Sequence, residues 1–369
     1  MSELKNNERN SGLDIIRLVS MLMVVLVHLF GVGGVVSTME NPAGKAFLCL
    51  IQGISLCCIN LFAMSSGFVH YGRKPHLSGL LQLWLQSFFW ITVITLAFAA
   101  FKGDMSVFKE NFSNCILLVS KREYWYLTDY VILFFIMPFL NAAVNKIDLK
   151  YLTYALLLLL TVTSLIPSVL PYTDPVSKGY SVTWLAVMYL VGAYIKKYDL
   201  INKIKVAYCA MIFGIFALLE GLYSFLSYSL GYDLGNYYYK FSSYNCVLVV
   251  AASIMLFIMM AKINVKSGTA KRVLKTASAS AFAVYLIHCS PLIFDNYIDG
   301  KMKFITTHGV FGSIGMLFTV ALGIYFAGIS LGILQNELFR FIGIPKLFKL
   351  LENKIVLCYD SIYKKLIKD

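Results

Sequence analysis

Leu13-Asp14-Ile15-Ile16-Arg17-Leu18-Val19-Ser20-Met21-Leu22-Met23-Val24-Val25-Leu26-Val27-His28 sets the terms for the whole chain. It opens an apolar stretch, roughly residues 14 to 36, long enough to cross a hydrocarbon core, which takes about 20 residues in a range of about 17–25. It also carries an arginine and a histidine. A charge at mid-membrane costs about 2.5–3.5 kcal/mol on insertion scales, so ionisable residues there mark function by default. Arg17 and His28 are eleven positions apart. That is about 1,100° of helical turn, or roughly 20° past three full turns, so the two share one face. The rise between them is about 16 Å, which sets Arg17 near one membrane boundary and His28 near mid-depth. The plainer alternative is that Arg17 snorkels to headgroups and His28 bonds a neighbouring helix.

The chain of 369 residues as a whole has the same character: 59% are hydrophobic, 14% are charged, and mean hydropathy is +0.73. Soluble domains run about 45–50% apolar and about 25% charged. The chain is therefore neither soluble nor disordered nor a nucleic-acid binder. Nine further apolar stretches follow, at roughly 46–70, 78–101, 124–144, 151–170, 180–195, 204–230, 241–261, 278–298 and 309–335. The pattern predicts an all-α, polytopic bundle of about ten transmembrane helices over residues 1–336. Residues 337–369 read as a basic amphipathic tail on the membrane surface. The first stretch exceeds a signal h-region of about 7–15 residues and contains an arginine, so it reads as a span.

The net charge of +13 would suit a polyanion partner, but its distribution points to topology. With the N-terminus inside, inner segments hold 22 of the 32 Lys and Arg and outer loops hold nine, the last being Arg17. The positive-inside rule then places both termini in the cytoplasm. The eight cysteines sit mostly in apolar runs without Cys-x-x-Cys spacing, and the five histidines are scattered singly. The cysteines read as small buried hydrophobes, and no metal is implied.

Three more segments carry chemistry. His288 lies in Tyr285-Leu286-Ile287-His288-Cys289-Ser290-Pro291, where Pro291 is expected to free a carbonyl near Ile287 and open the helix, unless it is only a packing kink. The second stretch ends Leu61-Phe62-Ala63-Met64-Ser65-Ser66-Gly67-Phe68, followed by His70, Arg73 and Lys74. Small residues there allow close helix approach. Ser66, Arg73 and Lys74 suit a phosphate-bearing cofactor, the bland alternative being a topology signal. The fourth stretch is entered by Lys121-Arg122-Glu123-Tyr124-Trp125-Tyr126-Leu127-Thr128-Asp129. Trp125 and Tyr126 suit stacking on a sugar, with Arg122 and Asp129 bonding its hydroxyls. An interfacial aromatic belt is the alternative.

Together these pieces resemble acyltransferase family 3, the integral-membrane acyltransferases, from Leu13 to about Gln335. The carrying residues are Arg17-x10-His28, the Phe62 to Phe68 stretch, Trp125-Tyr126-Leu127 with Pro138 and Asn141, and Tyr285-Leu286-x-His288. The resemblance implies transfer of an acyl group, usually acetyl, from cytoplasmic acyl-CoA to a hydroxyl of a cell-surface polysaccharide or its lipid-linked precursor. It implies a multi-pass protein of the bacterial plasma membrane, acting with membrane lipids and glycan-assembly proteins. In that setting His28 is the expected base, since neutral imidazole is the commonest choice for such work. Arg17 and Arg73 are expected to grip CoA phosphates or steady the oxyanion, and His288 to orient the acceptor or assist proton transfer. Some members carry a glutamate after the tryptophan entry; Asp129 stands nearby, without a secure alignment to it. Two rival readings are a transporter or flippase for a lipid-linked sugar and a polysaccharide polymerase.

Overall fold

A bilayer offers backbone N–H and C=O groups no partner but each other, so apolar stretches of this length fold as helices. The computed structural model of the chain describes residues 9–73, 75–170, 173–229 and 243–366, with side chains of the last helix described to residue 357. Among the described residues there is no strand. The main helices are α1 (Ser11–Phe30), α2 (Pro42–Ser55), α3 (Cys58–His70), α4 (Leu77–Lys102), α5 (Ser106–Ile116), α6 (Trp125–Lys146) and α7 (Leu149–Leu160). They continue with α8 (Val182–Lys197), α9 (Val206–Ser229), α10 (Val247–Ala261), α11 (Gly268–His288), α12 (Gly309–Phe341) and α13 (Ile344–Leu366).

Each of the ten apolar stretches contains such a helix, but they do not all span alike. Seven segments are long and apolar enough to cross: α1, α2 with α3, α4, α6, α7 extended to Val169, α9 and α12. An eighth counts if α11 is joined to Pro291–Thr307, which bends away from it by 58°. The remaining two, α8 with 16 residues and α10 with 15, fall short. At 1.5 Å per residue they reach about 24 and 22 Å, against a core of about 30 Å. Seven or eight crossings thus pass by length and composition among the described residues, where the sequence predicts ten.

The bundle differs from a soluble protein at its outer face more than in its apolar core. Phe135, Phe139, Leu158, Leu218, Leu222, Phe326 and Leu334 are exposed on the outer helix faces. The interior holds amides and indoles that bond across helices, as tightly packed membrane bundles require. Trp184 donates to Asn60 Oδ1 (2.9 Å), Asn60 donates to the Tyr244 carbonyl (2.9 Å), and Trp90 donates to Gln335 Oε1 (3.2 Å). α3 and α8 cross closely because Gly67 and Gly192 face each other's helix; a Cβ on either would collide with the carbonyl of Tyr189 or Met64. This is the close approach that the Ser-Ser-Gly stretch predicts.

α1 lies in the interior of the bundle, packed on α2, α3, α10, α11 and α12. At the end where α1 begins, lysines close helix ends. Lys196 donates to the Tyr71 carbonyl (3.1 Å), Lys197 to that of Val144 (2.6 Å), and Lys262 to that of Ile204. Orphan carbonyls and the negative end of the helix dipole favour cations there. We call this the basic end.

Two boundaries differ from the sequence reading. α12 runs past residue 336 to Phe341, and α13 docks back on the start of α4, where Glu352 accepts from Leu77 N (2.8 Å) and Ser78 Oγ (2.7 Å). Those bonds hold the Glu352 carboxyl below its ordinary range. At Pro291 the helix does stop, but the Ile287 carbonyl is not free. It accepts Ser290 N–H at 3.2 Å, because the chain tightens into a turn before bending. After the bend, Gly300 and Met302 donate to the carbonyls of Val32 and Gly33 and so cover the far end of α1.

Candidate active site

His28 and His288 meet although 260 residues separate them. His28 Nδ1 lies 3.0 Å from His288 Nε2, and His288 Nδ1 lies 2.5 Å from the Val284 carbonyl one turn back in α11. The carbonyl only accepts, so it fixes the proton of neutral His288 on Nδ1. His288 Nε2 is then an acceptor, His28 Nδ1–H donates to it, and the lone pair of His28 is left on Nε2. No described residue bonds that nitrogen. Phe294 holds the ring edge-on, with centroids 5.3 Å apart at 87°.

His28 is partly open because it lines a chamber of about 60 Å³, together with Val24, Ile59, Trp125, Tyr244 and Tyr285. The chamber's position follows from α1: Arg17, Met21, Val24 and His28 follow at spacings of four, three and four, which is one helix face. Trp125 packs on Tyr180 at 4.6 Å between ring centroids, and Tyr180 on Tyr244 at 5.0 Å.

A second cavity, of about 230 Å³, lies along the same face toward the basic end. Arg17, Ser65, Ser66, His70, Gln86, Tyr130 and Ser278 give it a polar lining. Arg17 is poorly committed within it. Its nearest carboxylate, Asp14, is 3.7 Å away and is already taken by Arg9 (2.6 and 2.7 Å) and by the Ser278 hydroxyl (2.7 Å). A guanidinium whose acid partner is engaged elsewhere keeps its fork of donors for an incoming anion.

The other expected residues divide. Ser66 lines the larger cavity and Tyr126 lines both. Arg73 sits exposed in the turn after α3 at the basic end and lines neither cavity; Lys74 lies outside the described residues. Trp125 faces the His28 chamber, whereas Arg122 and Asp129 are bonded to each other at 2.9 Å and line neither cavity. Arg122 also donates to the Tyr180 carbonyl (3.0 Å), so the pair braces the loop behind Trp125.

Several participants were not legible beforehand. Cys289 Sγ lies 3.3 Å from His288 Nε2 and 3.5 Å from His28 Nδ1. The ligating atoms of His28, His288 and Cys289 all fall within 4.8 Å of one another, a nitrogen and sulfur set of the kind zinc accepts. Tyr130, Gln86, Ser278, Tyr244 and Phe282 gave no signal of their own, since an aromatic or small polar residue in a span is ordinary. Glu220 did offer one: it is a carboxylate inside an apolar stretch. It is buried against Gly53 with no partner for either oxygen among the described residues, and it lines neither cavity.

Compared with known families, the chain matches the model described as Acyltransferase domain over residues 10–334. No curated protein and no solved structure matches it.

Proposed function

The chain belongs to the acyltransferase-domain family, a multi-pass membrane class, and from that premise we propose that it moves an acyl group from cytoplasmic acyl-CoA to a hydroxyl of a cell-surface polysaccharide or its lipid-linked precursor. The basic end faces the cytoplasm in this reading, in keeping with the lysines gathered there.

The observation that carries the proposal is the oriented His28 beside a cavity holding an arginine only loosely paired at 3.7 Å. Acyl transfer from a thioester needs a base for the attacking hydroxyl, and His28 Nε2 supplies the lone pair. As it takes the proton, positive charge spreads over the imidazole, and Nδ1–H bonds more strongly to His288 Nε2. The Val284 carbonyl steadies His288 in the matching tautomer, the role an orienting group plays in catalytic triads. The hydroxyl oxygen attacks the thioester carbonyl, the tetrahedral oxyanion collapses, and CoA leaves as its thiol, taking up the proton from His28. Tyr126, Tyr244 and Tyr285 bring the phenols nearest this reaction.

Arg17 acts at the other end of the donor. It lies about 16 Å of helix rise from His28, so it grips CoA phosphates and does not steady the oxyanion. Cys289 takes no acyl group in this scheme. The nitrogens nearest its sulfur are already bonded to each other: His28 Nδ1 carries the proton, and the lone pair of His288 Nε2 is taken up by it, so neither is free to receive the thiol proton. The acceptor presents one hydroxyl from the side of Trp125 and Tyr180. A chamber of about 60 Å³ does not favour passage of a whole sugar, as a flippase requires.

The test is the mass of the host's surface glycans with the wild-type chain, with His28→Ala, and without either. An increment of one acyl group per site, about 42 Da for acetyl by simple chemistry, is expected only with the wild type. Unchanged glycans in all three would overturn the assignment.

A further inference from the structure

The two cavities share four lining residues, Met21, Phe62, Tyr126 and Phe282, which come from α1, α3, α6 and α11. We propose that these four side chains form a neck through which only the thioester end of the donor passes, and that the neck, with Val24 and Ile59 behind it, limits the acyl group to about two carbons. The inference rests on the reading of His28 as the base of acyl transfer.

Size supports the limit. By the measure on which a cavity of about 150 Å³ takes a benzene ring, about 25 Å³ per non-hydrogen atom, the chamber of about 60 Å³ has room for two or three such atoms. Carbonyl carbon, carbonyl oxygen and methyl of an acetyl group are three, with the sulfur in the neck and the acceptor hydroxyl at the mouth. A butanoyl chain adds two methylenes and does not fit.

Rigidity supports it as well, because a chamber that swells on demand measures nothing. Phe62 packs on Tyr126 at 6.1 Å between centroids, Tyr126 on Tyr130 at 6.3 Å, and Phe282 on Tyr285 at 5.8 Å. Val24 and Ile59 are each only 5% exposed. Rings held by other rings and β-branched side chains with few rotamers cannot step aside without repacking the bundle. The division of polarity completes the argument. The nucleotide and phosphates of CoA find Arg17, Gln86 and serines on one side of the neck, while the acyl group finds aliphatic and aromatic walls on the other.

Membrane vesicles carrying the chain and its native glycan, given acetyl-CoA, butanoyl-CoA or hexanoyl-CoA, report turnover as free CoA thiol. Misfit of one methylene in an apolar pocket is worth about 10–200-fold. Wild type is therefore expected to use butanoyl-CoA at least tenfold less well than acetyl-CoA, and hexanoyl-CoA less well still. Ile59→Ala and Phe62→Ala are expected to raise the butanoyl to acetyl ratio tenfold or more, because a truncated core side chain leaves space that its neighbours fill only in part. Val24→Ala, the mildest change, moves the ratio the same way if the larger truncations fail to fold. Phe139→Ala, on an exposed outer face of α6, leaves it unchanged. Wild type using all three donors equally, or variants that turn over acetyl-CoA with an unaltered ratio, would overturn the limit while leaving acyl transfer intact. No CoA release from any donor would overturn the acyl-transfer reading, and the limit with it.

Discussion

The two cavities along α1 solve opposite problems with similar parts. In the wider one the decisive group is only loosely paired: Arg9 and Ser278 satisfy Asp14, which lies 3.7 Å from Arg17, and no hydrogen bond among the described residues takes the Arg17 donors. In the narrower one the decisive group is tightly bonded: His28, His288 and the Val284 carbonyl form a chain that leaves a single lone pair. A binding group needs unspent hydrogen bonds, whereas a base needs its tautomer and orientation fixed before substrate arrives. Arg122 shows the contrast from a third side. It too lies beside a buried aspartate, but at 2.9 Å and with a carbonyl besides, so its donors go to the fold.

If this division is right, mutations on the two sides differ in kind. The largest effect belongs to His28→Ala, which lowers kcat for acyl transfer by about 100- to 10,000-fold and changes KM for acyl-CoA little. A comparable loss in apparent affinity with kcat intact would place His28 in binding. His288→Ala comes next: the imidazole of His28 survives without its acceptor, and misplacement costs kcat about 100-fold. His288→Gln, which restores an acceptor, recovers part of that; no recovery would argue that His288 does more than orient. Arg17→Ala acts on the other parameter. Loss of charge-assisted bonds worth about 1.5–3 kcal/mol raises KM for acyl-CoA by roughly 10- to 150-fold, with Lys substituting in part. A drop in kcat alone would break the comparison.

Cys289→Ala is expected to cost less than tenfold, under about 1.4 kcal/mol, and to leave no acyl-protein intermediate to trap. A thioester on Cys289, seen by mass spectrometry, would replace direct transfer by a covalent route. The smallest effect on chemistry belongs to Arg122→Ala. Its loss leaves the buried Asp129 without its partner, so thermal stability in detergent falls while KM for acyl-CoA stays as it was.

Much of this was legible because it is local. Helix periodicity alone puts Arg17 and His28 on one face of α1, and the two cavities lie along that face. The same arithmetic cannot show which helix faces α1, so the contact between His28 and His288, and Cys289 beside it, stayed hidden. It also cannot tell a spent arginine from an available one. Arg17 and Arg122 each have an aspartate within seven positions in the sequence, and only the partners of Asp14 and Asp129 show which arginine is spent. The two short helices α8 and α10 mark another limit, since an apolar stretch does not fix where its helix starts, and at 16 and 15 residues neither reaches the length of a full crossing.

The central claim is that an oriented His28 passes an acyl group from CoA to a hydroxyl. Its most direct test is free CoA released from acetyl-CoA by membrane vesicles bearing the wild-type chain or His28→Gln, with and without surface glycan extracted from the host. Release that depends on the glycan and disappears in His28→Gln, while labelled acetyl-CoA still binds, is the predicted result. Equal release by both proteins would contradict it.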